Sequence, residues 1–128
     1  MQQGLRDLSR PPAELASDWL PTLLSEEAPA ALKRELTRII AGCRPTAAIP
    51  MLRSMAEADL RKVLPTIQVP TLLLCGGRDV RSSPAVAQAI HEAIPHSKLE
   101  TLPNSSHQSN METPGPFNDA VLRFLDDH

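Results

Sequence analysis

Two residues in this sequence are of types that move protons near neutral pH, and both stand where a short strand hands over to a loop. Asp79 follows the apolar run Val69-Pro-Thr-Leu-Leu-Leu-Cys75 by four positions, and His107 follows a second, weaker run, Ser97 to Leu102, by five. The link to Asp79 is Cys75-Gly-Gly-Arg-Asp, whose glycines let the chain turn sharply over a strand end. The link to His107 is Leu102-Pro-Asn-Ser-Ser-His, made of small turn-forming residues. In open parallel sheets, catalytic groups gather at the carboxyl ends of the strands. A carboxylate and an imidazole brought together there suit proton transfer, in which the Asp orients the ring and stabilises its charged form while the His exchanges a proton. Each residue also has a plainer reading. Asp79 at a strand end caps the turn or the helix that follows, and a histidine alone in a polar loop is a solvent-exposed one.

The elements that must position this pair follow from local pattern. Val69 to Cys75, bounded by Pro70 and by Gly76-Gly77, predicts a short strand buried on both faces, as in a parallel sheet. Ser82-Ser83-Pro84 gives an N-cap serine and a proline at the first helical position. Val86, Ala89, Ile90, Ala93 and Ile94 then form the apolar stripe of a helix ended by Pro95. After the Ser97–Leu102 strand, Thr113-Pro114 opens a last helix with Phe117, Val121, Phe124 and Leu125 on one face. Strand, helix, strand, helix predicts a right-handed parallel crossover unit. Upstream, a short helix is expected near Glu14 to Leu20, between Pro12 and Pro21. Leu32, Leu36, Ile39 and Ile40 predict an amphipathic helix from Pro29 to a left-handed stop at Gly42. A further helix is expected from Thr46 to Ala56, with Pro50 in its first turn and Ile49, Leu52 and Met55 on one face; Asp59 then caps a turn that Pro65 ends. There is no internal repeat. Two parallel strands among several helices leave the Leu-rich strand with an unpaired edge, so further sheet is expected beside it.

Composition excludes several classes. The chain has 128 residues, enough for one domain, and its 13 Pro and 5 Gly fall well short of the roughly 25–30% at which disorder becomes the default. Thirteen Lys plus Arg against 15 Asp plus Glu give a net charge of −2, and no basic block interleaves with the few aromatics, so nucleic acid is not an expected partner. Apolar runs are broken by Pro or charge long before the roughly 18 residues of a membrane span, and Met-Gln-Gln-Gly-Leu-Arg-Asp reads as no secretory signal. Cys43 and Cys75 are too few for a disulfide framework and lack zinc spacing, so a reduced, cytoplasmic setting is expected.

From Asp59 to Phe124 the sequence resembles the C-terminal part of an α/β-hydrolase. The matching residues are Asp59-Leu-Arg, Ile67-x-Val-Pro-Thr-Leu-Leu-Leu, Gly76-x-x-Asp79, Ala93-Ile-Pro-x-Ser97 and His107-x-Ser109-Asn110-x-Glu112-x-Pro114-x-x-Phe117-Asn118. The 28 positions between Asp79 and His107 also look like that family's interval between acid and base. The resemblance implies an α/β fold: a helical cap segment over residues 1–64, then a βαβα part of the core with parallel strands over 65–128. It implies Asp79 as the acid and His107 as the base of a Ser-His-Asp triad. The likeness extends to 3-oxoadipate enol-lactonase-like hydrolases, which implies a small-molecule ester or lactone as substrate and no cofactor.

The departures from the family bear on activity. The family order is Ser, Asp, His, with the serine in a G-x-S-x-G elbow, and this chain has no such motif. Ser9, Ser17, Ser25 and Ser54 lack glycines at the elbow positions, and the serines after Asp79 fall on the wrong side of that order. The histidine-glycine segment of the oxyanion hole is absent, Ser105-Ser106 stand where the family has a glycine, and six of the usual eight strands are expected upstream of Met1. The expectation is therefore a partial hydrolase, inactive as this chain alone. The rival expectation is a non-catalytic interaction module, or a split-enzyme half, that pairs through its strand edge with an N-terminal half or a second copy.

The remaining candidates read more plainly. Cys75, the one alternative nucleophile, ends an apolar strand and is expected as a small buried hydrophobe; Cys43 is expected in packing. His91, His96 and His128 have no metal spacing, so no metal is expected. Met51 and Met55 at helical spacing read as core, with the lining of an apolar tunnel, together with Trp19, as the alternative. Arg78 and Arg81 flank Asp79 and are either solvated or a source of positive potential favouring an anionic substrate.

Overall fold

Proline sets where most of the helices begin, because its fixed φ suits the first helical position and its missing N–H is not needed there. The computed structural model describes residues 12–128; the N-terminal residues and Ser9 lie outside the described residues. Helix α1 spans Pro12–Leu23, α2 Ala30–Ala41, α3 Pro45–Glu57, α4 Pro84–Ala93, a short α5 Ser109–Glu112 and α6 Pro114–Asp126. Strands β1, Leu72–Gly76, and β2, Lys98–Leu102, flank α4, and a 3-10 turn covers Leu64–Thr66. Two compact units result: one from the described residues up to Pro21 with Ala28–Asp59, the other from Thr22–Glu27 with Leu60–His128.

The helices of the first unit run longer than their prolines suggest. α1 continues through Pro21 to Leu23, where the sequence predicts an end at Leu20. A proline so near the helix end costs a single hydrogen bond, the one to the carbonyl four residues back, and Leu23 and Leu24 beyond it are buried. α3 starts a residue earlier than expected and holds Pro50 inside the helix rather than in its first turn. α2 stops at Gly42 as expected in position but not in handedness: Gly42 has φ −81° and ψ −7°, and its N–H closes a right-handed turn onto the Arg38 and Ile39 carbonyls. The buried residues here are Leu15, Ala16, Ala28, Leu36 and Ile40. The reading of Met51 and Met55 as core is corrected, since they are 57% and 67% exposed, while Ile49 and Leu52 on the same helix are half-buried.

In the second unit β1 and β2 pair in parallel, from Leu72 opposite Lys98 to Gly76 opposite Leu102. Lys98 N–H to the Thr71 carbonyl and Gly77 N–H to the Leu102 carbonyl, both 2.8 Å, extend the ladder at its ends. The strand starts later than the apolar run does: Val69 is exposed, and the Thr71 hydroxyl turns back on the Val69 carbonyl. Pro70 has no N–H for a ladder. Burial on both faces is also corrected, because Leu72 to Leu74 are only half-buried and full burial begins at Cys75. Among the described residues, β1 pairs with β2 on one edge and with no strand on the other.

Helices α4 and α6 both pack on the two strands. α4 begins at Pro84 with Ser83 before it, although the Ser83 side chain caps no N–H. Pro65 lies within the 3-10 turn instead of ending it. On α6 the buried residue is Ala120, 1% exposed, whereas Leu125, expected on the buried face, is 61% exposed. Ile94 and Leu102 complete the buried set with Cys75.

At the carboxyl ends of the strands the backbone leaves no room. A Cβ on Gly76 would stand 2.1 Å from the Ser106 carbonyl oxygen and 2.6 Å from that of Ser105, both main-chain atoms that cannot swing away. At Gly115, in α6, nothing lies within 4 Å of the same position. Gly76→Ala should therefore destabilise by about 3 kcal/mol or more, while Gly115→Ala should be neutral or stabilising by up to about 1 kcal/mol. Urea unfolding of the two variants checks the contrast.

Candidate active site

Asp79 is set by the turn it closes. From Gly76 the chain folds over the end of β2: Arg78 N–H reaches the Ser105 carbonyl at 3.0 Å and Asp79 N–H the Gly76 carbonyl at 3.1 Å. The carboxylate then divides its oxygens. Oδ1 accepts the N–H groups of Arg81 at 2.7 Å and Ser82 at 2.9 Å, and Oδ2 lies 2.9 Å from Nδ1 of His107. Asp79 is 8% exposed. That burial pushes its carboxyl upward, but the Ser82 N–H, the His107 ring and the Arg81 N–H outweigh it and hold the group below its ordinary value. Capping a turn and orienting a ring, alternatives in the sequence, are here carried out by one side chain.

His107 is held through its neighbours in the chain. Ser105 is fully buried, with its N–H and hydroxyl both directed at the Leu102 carbonyl. Ser106 N–H donates to Oε2 of Glu112 at 2.7 Å, and Gln108 N–H to the Leu23 carbonyl at 3.0 Å. The ring itself is partly exposed, 32%. With a proton on Nδ1 shared with the carboxylate, the lone pair sits on Nε2. The pair can therefore accept a proton at Nε2 and stabilise the resulting cation through Asp79.

The sequence marks no partner for the surrounding residues. Thr22–Glu27 lies against both loops: Thr22 Oγ1 accepts from Arg81 Nε at 2.7 Å, Glu27 pairs with Arg78, and Ser25 N–H donates to Oε1 of Glu112 at 2.8 Å. Arg78 thus has its charge matched by Glu27. Glu112 is visible in the sequence as part of the pattern after His107, but its partner Ser25 is 87 positions away. A groove of about 330 Å³, lined by Leu73, Cys75, Asp79, Val86 and Ile90 among others, runs from β1 to the carboxylate.

Other candidates fall elsewhere. Cys75 is buried, and burial together with the Asp79 charge pushes its thiol up, whereas Cys43 is exposed. His91 Nδ1 meets the Ser97 hydroxyl at 2.8 Å, His96 turns the chain with φ 61°, and the His128 ring lies against Phe124. Among the described residues no group of three or more His, Cys, Asp or Glu could hold a metal ion, and no helix is long and apolar enough to cross a membrane.

No protein-family model matches the sequence. Individual proteins do. The chain is 32% identical over 120 residues to 3-oxoadipate enol-lactonase 2 of Acinetobacter baylyi, covering 94% of this chain and 43% of that protein. Among solved structures it is similar to the enol-lactonase from Burkholderia xenovorans, with a TM-score of 0.89 at 24% identity over 95% of this chain and 48% of the other. A thermophilic esterase from Thermogutta terrifontis gives 0.88 at 26% identity over 95% and 46%. The chain spans less than half the length of these relatives, and aligns to their C-terminal part.

Two measurements check the electrostatics. Because the folded Asp79 carboxyl titrates below its ordinary value of 3.8, its contribution to stability is full above that value and is lost as the pH falls through the lower folded one. Urea midpoints of the wild type should thus decline more steeply between about pH 5 and about pH 2 than those of Asp79→Asn. With iodoacetamide under native conditions, Cys43 should be alkylated at least about 10-fold faster than Cys75, whose thiol is both covered and kept protonated. Peptide mass mapping reads the ratio.

Proposed function

On the premise that this chain belongs to the α/β-hydrolase fold superfamily as a C-terminal part, we propose that Asp79 and His107 are the acid and base of a Ser-His-Asp triad acting on small-molecule esters or lactones. The observation that carries the reading is the 2.9 Å contact from His107 Nδ1 to Asp79 Oδ2, made while the other oxygen is already occupied by two backbone N–H groups. Carbonyl attack needs a serine, and these 128 residues hold no G-x-S-x-G elbow. The serine is then supplied by an elbow-bearing segment whose sheet adds to the open edge of β1. Nε2 of His107 takes the serine proton as the oxygen attacks and returns it to the leaving alkoxide; Asp79 keeps the ring in the Nδ1–H tautomer and faces the cation. Water then repeats the sequence to release the acid. In this reading residues 1–64 are the cap and 65–128 belong to the core, and two free thiols fit a reducing, cytoplasmic setting.

A second reading rests on the same open edge: a non-catalytic module that pairs β1 with a second copy of itself. The two readings diverge in one experiment. The chain is joined to the elbow-bearing N-terminal half of a related enol-lactonase and exposed to a fluorophosphonate serine probe and to p-nitrophenyl acetate. The chain alone should give no labelling. The joined protein should be labelled and turn over, and Asp79→Asn or His107→Ala should lower kcat by about 10³-fold or more. Turnover untouched by His107→Ala would overturn the triad, and a concentration-dependent dimer of the chain in sedimentation, with no activity on joining, would favour the self-pairing module.

A further inference from the structure

The geometry points to Glu112 as a positioning residue that holds His107 against Asp79. Its two carboxylate oxygens each take one backbone N–H: Oε2 that of Ser106 at 2.7 Å, and Oε1 that of Ser25 at 2.8 Å. Ser106 is the residue before His107. The residue after it, Gln108, donates its own N–H to the Leu23 carbonyl at 3.0 Å. The backbone N–H groups of the residues on both sides of His107 are thus fastened to one strap, Leu23 to Ser25, directly for Gln108 and through Glu112 for Ser106. The carboxylate is brought back by α5, where the N–H groups of Met111 and Glu112 close onto the Gln108 carbonyl at 3.0 Å. Ser106 is 3% exposed with the carboxylate in place, so its N–H depends on that charged acceptor and not on solvent.

The imidazole has a χ1 and a χ2 to place, and Asp79 fixes one atom of it. What remains is the height and tilt of the backbone that carries the ring, which the Glu112 clasp sets. Glutamine in its place keeps one acceptor oxygen and turns an amide NH₂ toward the other N–H, breaking half of the clasp with little change of shape. Alanine removes both halves. The inference rests on the triad reading for its catalytic meaning, but the placement of the ring is measurable in the chain itself.

The test is side-chain NMR of the 128-residue protein with ¹⁵N-labelled histidine. The His107 ring paired to Asp79 gives an Nδ1–H tautomer pattern with a downfield proton, assigned by its disappearance in Asp79→Asn and in His107→Gln. In Glu112→Gln the intensity of that pattern should fall several-fold, with the far-ultraviolet circular dichroism of the wild type retained and the His91 signals unmoved. In the joined enzyme the same variant should lower kcat about 10- to 100-fold at unchanged KM, as expected of a misplaced base. An unchanged His107 pattern in both Glu112→Gln and Glu112→Ala overturns the inference. So does a loss that appears only together with loss of helicity and of the His91 signals, which marks a general structural role. If Glu112→Ala does not fold, the Gln variant alone decides. The arms separate the two claims: an altered pattern in an enzyme indifferent to His107→Ala sinks the triad and leaves the clasp, whereas an unaltered one with intact His107 dependence sinks the clasp and leaves the triad.

Discussion

Parallel strands that pair in register end side by side, so their outgoing loops must share the same space. In this protein that space is made by the missing side chain of Gly76, over which the carbonyls of Ser105 and Ser106 pass at distances no Cβ would permit. Everything at the candidate site follows from that approach. The loop after β1 can bond to the loop after β2, Arg78 N–H to the Ser105 carbonyl, only because the two backbones lie so close. Asp79 one residue later and His107 two residues later then face one another, with the sheet bringing their two loops together.

The charges that matter at this end are those met by main-chain donors. Asp79 and Glu112 each accept two backbone N–H groups, and donors on a folded backbone cost no further ordering when the carboxylate meets them. The ion pairs elsewhere, Arg38 with Glu35, Lys98 with Asp127 and Arg123 with Glu100, join side chains that are mostly in solvent. Such pairs gain little in a high-dielectric setting and are screened by salt. Arg78 with Glu27 is of the same exposed kind, so it tethers the strap without polarising the site strongly. The anion-attracting potential that two arginines beside Asp79 suggest in the sequence is correspondingly blunted.

What was legible in the sequence was what is local. The apolar run before Gly76-Gly77, the prolines opening α4 and α6, and the return of a histidine after the second strand all act over a few positions, and the elements lie within a few residues of their expected places. The misses are cases where tertiary context overrides a local rule. Pro21 and Pro50 stay inside helices, Val69 is apolar yet lies outside its strand, and Met51 and Met55 have the spacing of a core stripe yet stand in solvent. The strap was illegible for a different reason. Ser25 and Leu23 act through backbone atoms, which every residue has, on partners more than eighty positions away, so no side-chain type or period marks them.

Asp79 shows why one residue type satisfies demands that look like rivals. Its short stem lets Oδ1 reach the N–H groups two and three residues ahead, the geometry that makes aspartate a turn former. The same carboxylate has a second oxygen with its own lone pairs, free to meet an N–H arriving from another loop. Asparagine could satisfy the turn, but would then present an NH₂ to the ring and demand the opposite tautomer, with the proton moved to Nε2. Glutamate would keep the charge and lose the turn, since its extra methylene carries the oxygens past the Arg81 and Ser82 amides. The turn and the contact with the His107 ring therefore select the same side chain, and a reading of Asp79 as merely structural and a reading of it as functional draw on different oxygens of one group.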